Sequence, residues 1–174
     1  MINHNTLLYQ VFDRTIKIDF QNKEWIANYT EGDLSELVKK LEKDSITKYP
    51  IIWLQTGYSV ERKRQEGTTK LIGCKFFLIT LGSKTDRYEK RFSSTYENVL
   101  YPLLSKIDKI FSKTKGLIAS NEDSYTVFPL NDLANDENGN KLPQLAAIAD
   151  VWDAVLFETD ITITDGCFPE LIIK

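Results

Sequence analysis

The stretch 151–168, VWDAVLFETDITITDGCF, constrains the fold more than any other part of the chain. Its side chains alternate with a period of two, as expected of a β-strand with one buried and one solvated face. The residues expected on the buried face are Val155, Phe157, Thr159, Ile161 and Ile163, and those on the outer face are Leu156, Glu158, Asp160, Thr162 and Thr164. The pattern predicts a long strand with an apolar underside and an acidic outer face, lying on the core of one domain.

Apolar residues recur at helical spacing in three segments, 6–14, 33–43 and 94–111. Asn5 is the expected cap of the first helix and Asp33 that of the second. Inside the third and strongest segment, Pro102 cannot donate a backbone hydrogen bond, so we expect a kink there or a start near Tyr101. The apolar stripes of these helices are expected to face a core.

Strands are predicted over 16–20, 51–55, 70–81 and 125–130. The strand 70–81 ends apolar on both sides, which is typical of a central strand covered on both faces or of one whose outer face meets another subunit. The polar stretch 57–69 between two strands predicts an exposed hairpin loop. Together the elements predict an α+β fold, a mainly antiparallel sheet of four to five strands with helices packed on one face.

Length and composition favour one domain. The chain has 174 residues and is 42% hydrophobic, enough for a single core. Within it we distinguish an N-terminal segment 1–48 with helix and strand character, a sheet-and-helix core 49–168 and a long polar loop 131–146. A net charge of −3 gives no global attraction to nucleic acid. No apolar run approaches the roughly 20 residues that span a bilayer, so a soluble protein without membrane contact is expected.

Chemistry-bearing residues are sparse and scattered. His4 is the only histidine, and it is expected to be solvated, without partners for catalysis. Cys74 and Cys167 are expected to be two reduced thiols. GxSxG, GxxxxGK[ST], GxGxxG, HExxH and paired CxxC motifs are all missing from the sequence. We therefore predict no enzyme activity, no cofactor and no metal, with catalytic residues unassigned.

Two charged segments invite functional interpretation. Arg62, Lys63 and Arg64 stand in a row on the predicted hairpin tip, where they would bind a phosphate backbone or an acidic neighbouring subunit, or simply keep the tip soluble. Asp132, Asp136 and Glu137 lie in the long polar loop, which lacks the spacing of a calcium-binding loop.

The order of the elements resembles the tail-completion or tail-terminator (neck) proteins of long-tailed bacteriophages, especially those of Bacteroidetes phages and prophages. The resemblance covers roughly 49–168. It rests on a strand like 50–54 after the first helices, an aromatic-rich strand like 71–80, and a closing run over 150–163 that begins D-x-W-D-x-x-L. These are features of pattern and order.

The resemblance implies a structural virion protein, made in the bacterial cytoplasm, that forms a homo-oligomeric ring, a hexamer or similar. Such rings end tail-tube growth and join tail to head, so the implied partners are the tail-tube and head–tail connector proteins. Contact between the ring lumen and DNA is left open. Contacts between subunits or with partners are expected at Arg62, Lys63, Arg64, Phe77, Ile79, Leu81, Asp132, Asp136, Glu137, Glu158 and Asp160.

Two alternatives remain from the sequence. The first is a small metal-dependent nuclease using Asp150, Asp153 and Glu158, because paired carboxylates hold Mg²⁺. The second is a host adaptor that binds a protein partner through an exposed sheet edge.

Overall fold

The computed structural model describes residues 3–20, 23–43, 49–83, 85–120, 124–128 and 152–164. The helices are α1 (His4–Phe12), α2 (Leu34–Lys43), α3 (Tyr88–Arg91), a π-helix (Phe92–Leu100) and α4 (Tyr101–Lys113). The strands are β1 (Lys17–Phe20), β2 (Lys23–Ile26), β3 (Asn28–Gly32), β4 (Ile51–Gln55), β5 (Ser59–Lys63), β6 (Thr68–Leu81), β7 (Leu117–Ala119), β8 (Ser124–Phe128) and β9 (Trp152–Thr164).

A seven-stranded sheet organises the molecule, with the order β3-β4-β6-β9-β7. The long strands β6 and β9 pair along their length at its centre. The strand β5 pairs with β6 on the same side as β4, and β8 pairs with β9 on the same side as β7. Only β3 and β4 run parallel, and β1 and β2 form a separate hairpin. The α+β prediction is confirmed, but the sheet is larger than the predicted four to five strands and is mixed.

Helices cover both faces of the sheet, so the prediction that they pack on one face is wrong. We call the side packed by α1, the π-helix and α4 the main core face; it buries residues such as Leu54, Phe76 and Phe157. The other side, which we call the α2 face, buries Trp53 and Phe77 beneath α2. Both β4 and β6 carry apolar side chains on both of their faces, so other elements must cover each strand on both faces.

The predicted alternation of the closing strand is confirmed in β9. Val155, Phe157, Ile161 and Ile163 are buried on the main core face. Their neighbours Glu158 and Asp160 lie on the α2 face and are partly exposed. Asp153, which precedes the stretch of predicted alternation, points into the main core and is fully buried.

The predicted long helix forms one continuous helical run with a change of geometry. It begins earlier than Ser94 predicts, at Tyr88, passes through the nine-residue π-helix, and continues as α4. The regular α-helix starts at Tyr101 with Pro102 in its first turn, as the missing N–H of proline predicts. The wider turns of the π-helix therefore lie before Pro102.

Helix and strand starts near the N-terminus differ from the sequence prediction. Asn3, not Asn5, caps α1 by accepting from the Asn5 N–H at 3.1 Å. Asp33 caps α2 as predicted, accepting from the Glu36 N–H at 3.0 Å. The strands β2, β3, β5 and β7 were not predicted, and β5 lies inside the expected hairpin loop.

Candidate assembly surfaces

Glu158 and Asp160 lie on the α2 face beyond the area that α2 covers, and both carry ion pairs within the sheet. The Glu158 carboxylate lies 3.4 Å from the Lys75 ammonium, and that of Asp160 lies 2.9 Å from the ammonium of Lys70. Asp160 also accepts the Gly73 N–H at 2.9 Å, where β6 carries a bulge between Leu71 and Cys74. These carboxylates hold β6 against β9, so both already have a structural role within the chain.

The apolar residues expected to meet another subunit are mostly covered within the chain. Phe77 is 7% exposed and Ile79 is fully buried. The ring of Phe77 stacks on that of Trp53 at 4.9 Å between centroids, and α2 closes over both. Leu81 is half-buried at the margin of this cluster. The helix α2 occupies the place assigned to a neighbouring subunit, so Phe77 and Ile79 offer no open surface.

The basic residues Arg62, Lys63 and Arg64 are exposed at the end of β5 and in the following turn, as expected of a hairpin tip. Lys63 pairs with Glu66 at 3.3 Å on the same tip. Asp132, Asp136, Glu137 and the loop 131–146 lie outside the described residues, as do Cys167 and Asp150. Of the two charged segments singled out in the sequence, the structure thus describes only the basic one.

The carboxylate of Asp153 is the shared hydrogen-bond acceptor of a buried polar cluster. It accepts hydrogen bonds from the Arg91 guanidinium, from the Thr95 hydroxyl at 2.7 Å and from the Tyr96 hydroxyl at 3.4 Å. Its side chain points to the main core face, whereas Glu158 points to the α2 face. Of the three carboxylates named for a metal-dependent nuclease, Asp153 and Glu158 therefore point to opposite faces, and Asp150 lies outside the described residues.

A second polar cluster surrounds Glu31 at the end of β3. Its carboxylate accepts from the Tyr58 hydroxyl at 2.5 Å and from the Tyr29 hydroxyl at 3.4 Å. Burial, and next the charge of Glu31, raise the pKa of Tyr29. For Tyr58, burial and then the hydrogen bond to Glu31 raise the pKa above its ordinary value.

His4 belongs to the edge of this cluster, so its expected full solvation is wrong. The His4 ring meets the Tyr58 ring edge-on at 6.0 Å between centroids and is half-buried. Burial is the main cause of its lowered pKa, opposed by Glu31 and reinforced by Arg62. Sequence inspection missed the cluster because β3, the β4–β5 connection and α1 are far apart in the chain and share no motif.

Cys74 is a free thiol buried on the main core face. Burial raises its pKa to about 12, which keeps it protonated at neutral pH. The expectation of a reduced thiol is confirmed for this residue, whose surroundings are those of a small core side chain.

Each of the two outer edges of the sheet borders a groove. At the β3 edge, a groove of about 380 Å³ runs between α1 and α2 and is bordered by Tyr9, Glu31 and Lys40. At the β7 edge, a groove of about 550 Å³ lies between the end of α4 and the strand, bordered by Phe111 and Ile118. Each edge thus offers strand backbone beside a concave surface.

Among the described residues, three of the four exposed large hydrophobic side chains lie at these two edges, and Val60 lies on β5. In the described ranges these side chains are Tyr9, Val60, Ile118 and Tyr125. Tyr9 stands beside Tyr29 at the β3 edge, with 6.1 Å between ring centroids. Ile118 and Tyr125 belong to β7 and β8 at the opposite edge.

Compared with known proteins, the chain matches no protein-family model and no curated sequence. No helix in the described part of the chain has the length and apolar character needed to cross a membrane. Within the same ranges, no group of three or more histidine, cysteine, aspartate or glutamate residues is arranged to hold a metal ion.

Proposed function

We propose that this chain is a structural subunit of a tailed phage or prophage that assembles into a ring at the tail–neck junction. The ring would end growth of the tail tube and join the tail to the head, as the resemblance over 49–168 implies. In this proposal the protein is not an enzyme, and its place is the virion, after assembly in the host cytoplasm.

One observation carries the proposal: among the described residues no further strand pairs with either outer edge of the sheet, and each edge has a groove and an exposed hydrophobic side chain. A ring subunit contacts its neighbours through two different surfaces that are complementary to each other. A long-lived monomer would be expected to blunt or cover such edges. Two open edges on one sheet therefore favour assembly with other copies.

Light scattering of the purified full chain over a range of concentrations tests this proposal. We expect a single species whose mass is a multiple of the 20.1 kDa chain, and a ring in electron micrographs. Mixing with tail-tube subunits should give tubes of limited length, and head–tail connector proteins should bind the same ring. A chain that stays monomeric at high concentration and binds neither partner would refute the proposal.

A host adaptor that binds one partner through a sheet edge is the second candidate, because the same open edge would serve it. The two candidates differ in self-association: the adaptor would be monomeric and would bind its partner at one to one. Gene neighbourhood is a further discriminator, since a position among virion genes favours the ring. Calorimetric titration with Mg²⁺ addresses the nuclease alternative separately, for which binding is not expected.

A further inference from the structure

We infer that neighbouring copies join by antiparallel pairing of the β7 edge of one copy with the β3 edge of the next, around Ala119 and Glu31. This inference rests on the proposed ring and specifies its interface. It makes the sheets of successive subunits continuous.

The first support is the direction of backbone groups at the β3 edge. Asn28 N–H donates to the Pro50 carbonyl at 2.9 Å, and Thr56 N–H donates to the Gly32 carbonyl at 3.0 Å. In this parallel ladder, alternate residues point towards β4, so Glu31 directs its N–H and C=O away from the sheet. Asp13 already accepts the Tyr29 N–H at 2.9 Å, which leaves Glu31 as the open position.

The β7 edge presents the matching groups. Gly116 C=O accepts from Thr164 N–H at 2.9 Å, and Ser120 N–H donates to the Asp160 carbonyl at 2.8 Å. Ala119, between these inward-pointing residues, therefore directs its N–H and C=O outward. Two such residues placed opposite each other exchange two hydrogen bonds.

Strand direction is also correct for this contact. The strands β6 and β7 run the same way because both are antiparallel to β9, whereas β4 is antiparallel to β6 and β3 is parallel to β4. Hence β3 and β7 run in opposite directions within one copy. Copies standing side by side in the same orientation, as in a ring, bring β7 antiparallel to β3.

The faces of the two edges match as well. Glu31 shares the main core face with Tyr29, whose hydroxyl it binds, and Ala119 is paired with Ile161 and packs against the same core. Residues directly opposite in an antiparallel pair point to the same face, so main core faces would adjoin main core faces.

Side-chain size fits this register. With Glu31 opposite Ala119, the neighbouring position sets Ile118 opposite Gly32. Ile118 is 58% exposed, and Gly32 has no side chain of its own, but the Cβ and Cγ of Glu36 already lie over it. On this α2 face the isoleucine would therefore pack against the aliphatic part of Glu36. The open segment is short at both edges, which limits pairing with unrelated strands.

A disulfide test uses Thr30→Cys and Ser120→Cys. The register places these two residues opposite each other as a non-hydrogen-bonded pair. The expected Cα separation there is about 4.5 Å, within the range that a disulfide spans. In a Cys167→Ser background, the double variant should give a non-reducing ladder that ends at the ring size. Mixed single variants should give only dimers. Cross-linking of either single variant alone would indicate a two-fold contact and overturn the inference.

A second test removes the donor without a cysteine. Ala119→Pro lacks the outward N–H, for which β7 has no acceptor among the described residues. Its association should be weaker by on the order of tenfold or more, with unchanged circular dichroism, whereas Ala119→Val should assemble normally. If Ala119→Pro fails to fold, the cross-linking result decides. If rings form but no cross-links appear and Ala119→Pro associates as tightly as the wild type, this interface is refuted and the proposed function stands. If every variant and the wild type are monomeric, the proposed function is refuted.

Discussion

The guanidinium of Arg91 donates a hydrogen bond to the carboxylate of Asp153, 62 residues further along the chain, inside the main core. The Arg91 side chain is 12% exposed and that of Asp153 is fully buried. Thr95 and Tyr96, one turn further on, donate to the same carboxylate. Strand β9 is thereby fastened to the start of the π-helix.

Asp153→Ala should destabilise the fold by about 3–5 kcal/mol, because it leaves the Arg91 charge buried without a partner. Urea denaturation followed by circular dichroism measures this loss. Glu158→Ala, on the same strand but at a partly exposed ion pair, is the matched control and should cost less than about 1 kcal/mol. Similar losses for both variants would contradict a special role for the buried pair.

Tyr58→Phe should lower the free energy of unfolding by about 1 kcal/mol through loss of its hydrogen bond to Glu31. The folded-state pKa of Tyr58 is raised, so its contribution is fully present below the ordinary tyrosine pKa of about 10. That contribution is lost as pH rises from there through the folded-state value. Denaturation at pH 8 and at pH 11 should therefore show a shallower decline for Tyr58→Phe than for the wild type. Tyr125→Phe, at a 55% exposed site, is the control and should behave as the wild type.

Asp160→Ala should lower the free energy of unfolding by about 1 kcal/mol at pH 7, since the bulge loses its carboxylate acceptor. The Gly73 N–H, and then Lys70, hold the pKa of Asp160 below its usual value. The contribution is thus present above about pH 4 and lost as pH falls through the lowered pKa. Parallel denaturation at pH 7 and pH 2 should show the gap between variant and wild type closing in acid; a gap that does not change with pH would assign the effect to packing.

Gly32→Ala should destabilise by about 1–3 kcal/mol more than Gly57→Ala. Both glycines have positive φ, 151° and 121°, so an alanine strains the backbone at each. Only at Gly32 would the added Cβ lie 2.6 Å from the Glu36 Cβ, whereas nothing lies within 4 Å at Gly57. Thermal denaturation of the two variants side by side isolates this clash, and equal melting temperatures would show that Glu36 moves aside.

Elements with a pronounced apolar pattern, on one face or on both, were predictable from the sequence. The strand β4 has the predicted bounds, and the alternation of β9 holds from Val155 onward. The strand β5 was missed because all five of its residues are exposed, so no alternation marks it. Its pairing with β6, not its own side chains, makes it a strand.

Sites that depend on distant partners could not be predicted. Asp153 has the same local sequence signal as a solvated carboxylate, and only Arg91, Thr95 and Tyr96 make it a core residue. Likewise, Phe77 looked available to a neighbouring subunit because no local pattern shows that α2 returns over it. The sheet edges depend on the order of strands, which the strand patterns do not encode.

The bulge in β6 shifts the alternation of inward and outward side chains by one residue. Leu71 and Cys74 are an odd number of residues apart, yet both are buried on the main core face, because one extra residue separates them. Deleting Gly73 would place Leu71 two residues before Cys74, so that a regular strand would keep both on the main core face without a bulge. If β6 kept Gly73 but ran regularly, Lys70 would turn inward and Leu71 outward, so the extra residue of the bulge determines which side chains of its first half are buried.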